Sequence, residues 1–355
     1  MTLKIKAAVL REIGKPLELT NLEIQPLAIG QVLVKILFSG VCRSQLMEVK
    51  GGRGDDPWLP HLLGHEGSGV VIDVGEGVTK VRPGDEVILG WVKGEGIDAS
   101  GAQYKHGGQI INSGRVATFC NYSVVSESRL VKKPKELPFD ESVLFGCALP
   151  TGAGMALNEI NPSENDSVIV LGLGGIGLSA LMALKALGVK NLMAVDISAK
   201  KLKMAKKLGA IYCLNSMDKN FITNVKEIFP SGADYCIESA GKVSTIELGF
   251  SLIKNGGGKL LFASHPAEGE TIRLVPHELI AGKQIAGSWG GATNPDRDIP
   301  KIFDLFKNKK IPLDILLTKR YKLEQINDAL ADLEFGRVFR PLIVMECSII
   351  ASGYE

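Results

Sequence analysis

Apolar and polar residues alternate with a period of two through the first 150 or so residues, as expected of strands with one buried face. Lys4 and Lys6 interleave with apolar neighbours, and residues 31–38 (QVLVKILF) alternate in the same way. Residues 68–74 run into Gly75-Glu76-Gly77, and the turn Val81-Arg82-Pro83-Gly84-Asp85 delivers a further strand. From about Asp166 the rhythm changes. Short apolar runs at 167–171, 192–196, 211–214, 234–238 and 259–262 predict buried strands. Between them, helical spacing covers 176–187, 199–208, 221–229 and 244–253. Such alternation predicts an α/β region built on a parallel, doubly wound sheet. After about Gly290, helices at 299–308 and 323–335 and a strand at 341–345 are too few for a third domain. The chain is therefore expected to return to its first one. This gives a mostly β domain from residues 1–150 and 291–355, and a nucleotide-binding type of domain at 151–290.

Composition narrows the function without choosing one. The 355 residues are 45% hydrophobic and 23% charged, with 41 basic against 39 acidic side chains and a net charge of +2. Nothing in that balance suggests a nucleic-acid or membrane partner. Residues 167–184 carry no charge, which is barely the length of a membrane span at about 18 residues. Their glycines and the Lys185 that follows fit a strand, a turn and a helix better. Six cysteines with no secretory signal predict reduced thiols in a cytoplasmic protein rather than a disulfide framework.

The run Gly172-Leu173-Gly174-Gly175-Ile176-Gly177 sits between a predicted strand and a predicted helix. A GxGxxG match alone is weak. Here the context is that of a turn where backbone and helix N-terminus approach a pyrophosphate. Asp196 ends the next strand and is expected to accept from the adenosine ribose hydroxyls, favouring NAD over NADP. Lys201 is expected near the same ribose, although it also reads as one of the surface lysines 200, 201, 203 and 206.

Of the five histidines, His65 stands out because Gly64 and Glu66 flank it and glycines follow at 67 and 69. The stretch GHEGSGVVIDVGEGVTKVRPGDEV, taken with the later glycine turn, resembles the zinc-dependent alcohol dehydrogenases of the medium-chain dehydrogenase/reductase superfamily. The resemblance extends from the first strand to about Met345. It implies a GroES-like catalytic domain joined to a Rossmann domain. It also implies a catalytic zinc held by Cys42, His65 and Cys147, with Glu66 as the adjacent carboxylate that approaches the metal. By the same resemblance Ser44 takes the proton of an alcohol substrate and hydride passes reversibly to NAD, giving an aldehyde or ketone. Arg43 and Arg340 are implied at the cofactor phosphates, Thr151 at the nicotinamide, and Trp91, with Trp58 nearby, in the substrate pocket. A homodimer or homotetramer is implied, paired through a sheet edge near 284–288.

The chain departs from that pattern in three places. Residues 91–118, where many relatives carry four cysteines for a structural zinc, contain none, so one zinc per subunit is expected. Gln45 replaces an acidic residue, and Met47 replaces the histidine that ends a proton relay. A zinc-free quinone or enoyl reductase using NADP is the nearest rival reading. A non-catalytic nucleotide-binding protein on the same scaffold is the more distant one. The remaining cysteines, at 120, 213, 236 and 347, read as small buried hydrophobes.

Overall fold

The computed structural model describes residues 4–346, so Cys347 lies outside the described residues. The chain divides into two compact units, one holding residues up to Cys147 and those from Leu313 onward, the other Ala148–Pro312.

In the first unit, β1 (Lys4–Leu10), β2 (Glu18–Ile24) and β3 (Gln31–Gly40) precede a short helix α1 (Arg43–Val49). Then come β4 (His61–Leu62), β5 (Gly67–Val74), β6 (Glu86–Leu89), β7 (Gln103–His106), β8 (Gln109–Asn112), β9 (Tyr122–Ser126), β10 (Leu130–Lys132) and the single turn α2 (Phe139–Ser142). The second unit opens on α3 (Ala148–Gly154), which continues as a wider turn to Ile160. It then alternates β11 (Ser167–Leu171), α4 (Gly175–Ala186), β12 (Asn191–Asp196), α5 (Ala199–Lys207), β13 (Tyr212–Asn215), α6 (Phe221–Ile228), β14 (Tyr235–Glu238), α7 (Val243–Leu252) and β15 (Lys259–Phe262). It closes with α8 (Pro276–Ile280), β16 (Gln284–Gly287) and α9 (Pro295–Asn308). The chain then rejoins the first unit with β17 (Lys319–Lys322), α10 (Ile326–Glu334) and β18 (Pro341–Val344).

Among the described residues the first unit holds a closed barrel, β1-β2-β7-β8-β4, and a sheet ordered β10-β6-β5-β3-β18-β17, with β9 also on β3. Ile5, Val9, Leu22, Tyr104 and Ile111 fill the barrel. Val34, Ile36, Val71, Leu89, Phe119, Leu330 and Ile343 form the core on the other sheet. The returning strand β18 pairs antiparallel with β3, setting Leu342 opposite Gly40. This register brings the segment before β18 to the end of β3, where α1 begins.

The second unit is a parallel sheet in the order β13-β12-β11-β14-β15-β16. Its strand order reverses between β12 and β14 around β11, which places a crevice at the carboxyl ends of β11 and β14. Val168, Ile169, Val170 and Leu171 are all buried, because helices cover both faces of the sheet.

The predicted strands and helices between residues 167 and 262 fall within a residue or two of those observed, but the far boundary of this unit does not. Residues 291–312 were expected in the first unit and lie in the second. Asn294 caps α9 by accepting from the N–H groups of Asp296 and Arg297, and Pro295 starts the helix. Ile299, Ile302 and Phe306, at helical spacing, then bury their side chains as α9 packs on α3 and α4. A hydrophobic stripe identifies the helix but not the neighbour that receives it.

The segment without cysteines is ordered by pairing and by carboxylates. Gly107 and Gly108 both have positive φ, the two-residue turn that lets β7 and β8 pair tightly. Asp98 binds Lys93 at 3.3 Å, Arg115 at 3.2 Å and the Ser128 hydroxyl at 3.0 Å. Buried Glu127 accepts from the N–H groups of Thr79, Lys80 and Ile97 at 2.7, 2.6 and 2.7 Å. Among the described residues no single helix is long and apolar enough to cross a membrane.

Candidate active site

Three segments distant in sequence bring Cys42, His65 and Cys147 together in the first unit. Cys42 follows β3 and caps α1 in extended conformation, with Val41 N–H tied to the carbonyl of Pro341 at the start of β18. His65 stands between β4 and β5. Gly64 before it has φ +92°, and a Cβ there would lie 2.4 Å from Thr118 Oγ1, so only glycine lets the chain turn at this point. Cys147 ends the unit after Gly146, whose missing Cβ would lie 2.3 Å from the carbonyl of Leu89. The glycine lets Cys147 approach the end of β6.

The three ligand atoms lie within 4.8 Å of one another. Cys42 Sγ is 3.9 Å from Cys147 Sγ, and His65 Nε2 is 3.2 Å from Cys147 Sγ. Two sulfurs and one imidazole nitrogen form a donor set that suits tetrahedral zinc and leaves one position for another ligand. Cys147 donates to Cys42 and holds its thiol well below the ordinary range, against burial and with help from the positive charge of Arg340. The same hydrogen bond, with burial, pushes Cys147 up.

Around this set, hydrogen-bonding capacity is left unspent. Glu66 is fully buried, and its Oε2 accepts from Arg340 Nη2 at 2.6 Å. Burial pushes the Glu66 carboxyl up to about 7 even though Arg340 pulls the other way. Among the described residues Ser44 Oγ, Glu66 Oε1 and Arg340 Nε are buried without partners. Orphaned polar atoms beside a converged S,S,N set fit a centre that takes up further groups. Arg340, expected at a cofactor phosphate, thus has one nitrogen committed to Glu66. Arg43 is exposed at the start of α1.

Gln45 lies between two of the ligand segments. Its Oε1 accepts from Cys42 N–H at 2.9 Å, which leaves its amide nitrogen facing His65 Nδ1. Met47 sits two residues on, its carbonyl accepting from Gly52 N–H at 2.8 Å. A cavity of about 800 Å3 opens at His65 and Gln45 and is lined by Trp58, which is 69% exposed. Trp91 is not on its lining. The Trp91 N–H donates to Gly146 and its carbonyl accepts from Arg129.

The second unit carries the glycine turn at the carboxyl end of β11. Gly172 has φ +88°, and a Cβ there would lie 2.6 Å from Ala240 N. A Cβ on Gly177 would lie 1.9 Å from the Gly172 carbonyl, so this glycine sets how closely α4 meets the strand. Gly174 faces open space, and no side chain caps α4. The first N–H groups of the helix, at Gly175, Ile176 and Gly177, have no intrahelical acceptor and are available to an anion. Asp196 Oδ2 accepts from Leu173 N–H at 2.7 Å and Oδ1 from Ser198 N–H at 2.9 Å. Lys201 Nζ lies 3.6 Å from the same carboxylate. Thr151 is buried within α3.

One residue of this site escaped the sequence reading. Glu238 ends β14, opposite Leu171 in register, and is fully buried. Its Oε1 accepts from Ala240 N–H, Gly241 N–H and Thr245 Oγ1 at 2.8, 2.9 and 2.7 Å. Ser239 next to it donates to the Gly172 carbonyl at 2.6 Å. Glu238 therefore shapes the far lip of the crevice, as Asp196 shapes the near one. An acidic residue ending an apolar strand was the signal in both places.

Comparison with known proteins agrees with both halves. Residues 28–135 match the alcohol dehydrogenase GroES-like domain, and residues 175–308 match the zinc-binding dehydrogenase family. An alcohol dehydrogenase class-3 from Caenorhabditis elegans is 31% identical over 372 aligned positions, covering 96% of this chain and 97% of the relative. The structure of benzyl alcohol dehydrogenase from Acinetobacter calcoaceticus superposes with a TM-score of 0.87 at 29% identity, covering 97% of this chain and all of that one. That of 2R,3R-butanediol dehydrogenase from Bacillus subtilis gives 0.76 at 26% identity, covering 96% of this chain and 99% of that one.

Proposed function

The chain belongs to the zinc-containing alcohol dehydrogenases of the medium-chain dehydrogenase/reductase superfamily, and from that premise we propose that it transfers hydride between an alcohol and NAD, reversibly giving the aldehyde or ketone. The observation that carries the proposal is the convergence of Cys42, His65 and Cys147 within 4.8 Å. Zinc held by these three residues supplies Lewis-acid polarisation of the substrate oxygen. Ser44, with its unpartnered hydroxyl oxygen, accepts the proton of the alcohol. Arg340 balances the charge of Glu66 and of the cysteine sulfurs, and Gln45 orients the His65 ring.

In the second unit, Gly172, Gly174, Gly175, Ile176 and Gly177 receive the pyrophosphate at the start of α4. Asp196 receives the ribose hydroxyls with Lys201 beside it, and its negative charge disfavours a 2′-phosphate. Arg43 is assigned to the phosphates and Thr151 to the nicotinamide. The protein acts as a homo-oligomer joined through the exposed edge strand β16.

Metal analysis combined with NAD reduction over a panel of alcohols tests this reading. The wild-type protein should carry one zinc per chain and reduce NAD with at least about tenfold preference over NADP. Cys42→Ser should lose both the metal and turnover. A Cys42→Ser protein with undiminished activity would remove the proposal.

A further inference from the structure

The glycine turn at the end of β11 is backed by the loop that follows β14. Ser239 Oγ donates to the Gly172 carbonyl at 2.6 Å, and a Cβ on Gly177 would lie 2.6 Å from that same hydroxyl. Ala240 N stands 2.6 Å from where a Cβ on Gly172 would be. The loop thus presses on the first and last glycines of the turn and leaves no room for a side chain at either.

That loop is itself held by one oxygen. Glu238 Oε1 accepts from the N–H groups of Ala240 and Gly241 and from Thr245 Oγ1, at 2.8, 2.9 and 2.7 Å. Among the described residues Oε2 is buried without a partner. Burial pushes the carboxyl up from its ordinary range. The three donors need an acceptor, and an amide oxygen serves them as a carboxylate oxygen does. Removing the acceptor would leave two backbone N–H groups unpaired and free the loop to move off the turn.

We propose that Glu238 is a positioning residue of the dinucleotide site. Its Oε1 fixes the 239–241 loop, and Ser239 and Ala240 then hold the 172–177 turn in the shape that receives the pyrophosphate. The side chain acts as an acceptor and not through its charge. The inference rests on the dinucleotide reading above and adds to it a residue that works through the turn.

The test measures NADH dissociation constants of the full chain by fluorescence titration, with zinc content and Tm alongside. Glu238→Ala should weaken NADH binding by the folded protein at least about tenfold. Its zinc content should match the parent's, because Cys42, His65 and Cys147 belong to the other unit. Glu238→Gln keeps an oxygen for the same three donors and should stay within about threefold of the parent. Ser239→Ala removes only the hydroxyl and should weaken NADH about threefold or more at the parent's Tm. This variant still decides the matter where Glu238→Ala does not fold. A merely structural glutamate would lower the Tm of Glu238→Ala and leave the folded protein's NADH affinity at the parent's value, which overturns the inference. So does a Glu238→Gln protein as weak as Glu238→Ala, or a Ser239→Ala protein with the parent's affinity. A parent that binds no dinucleotide removes the dinucleotide reading itself, and this inference falls with it.

Discussion

At Gln45 a single amide settles how one proposed metal ligand is presented. Its oxygen is held by Cys42 N–H, so its nitrogen must be the atom facing His65 Nδ1. A metal-bound histidine ordinarily donates its other N–H to an acceptor, which fixes the ring and the ligating nitrogen. An amide nitrogen is a donor, so the ring is held in place but not in the form a metal prefers. A carboxylate would accept from both Cys42 N–H and His65 Nδ1–H. Gln45→Glu should therefore tighten zinc binding about tenfold or more, measured by chelator competition. Equal or weaker affinity would show that the amide costs the site nothing. That Cys42, His65 and Cys147 would converge was legible from residue type and from the resemblance around GHE. The direction in which Gln45 points was not, because it depends on a backbone N–H at the start of a helix.

Among elements, the hairpin β7–β8 and its flanks show how a segment without cysteines is kept in place. Three backbone donors converge on Glu127, and they outweigh burial to hold its carboxyl below the usual range. Asp98 is likewise held low against burial, by Ser128 and the cations around it. A depressed carboxylate adds stability above its unfolded pKa, and that contribution is lost as pH falls through the folded value. Glu127→Gln should cost about 3 kcal/mol of stability near neutral pH, read as a lowered Tm. It should also flatten the acid limb below about pH 4. An acid limb as steep as that of the parent would contradict the role given to Glu127. The sequence predicted the alternating elements of the second unit closely because period-two and helical spacing are local. It missed α3, since a helix buried along its whole length has no polar face to mark it.

For the whole molecule, the proposed assembly rests on what the second unit leaves open. β16 ends the sheet order and is largely exposed, and Ile280 in the preceding α8 is 81% exposed. An unpaired strand edge beside apolar side chains is a natural place for a second copy to pair. Light scattering should give at least a dimer for the parent protein. Ile280→Glu should shift it toward monomer, whereas a parent that is monomeric at micromolar concentration would refute pairing at this edge.

The sequence by itself determined the two kinds of unit, the glycine turn and the residue types suited to metal and dinucleotide, because these are written in short-range spacing. Tertiary structure alone decided that Arg340 returns on β18's approach to pair with Glu66 and that α9 belongs with α3. Each of these depends on which surfaces meet after the chain has travelled far, and a local pattern of apolar and polar residues does not encode that choice.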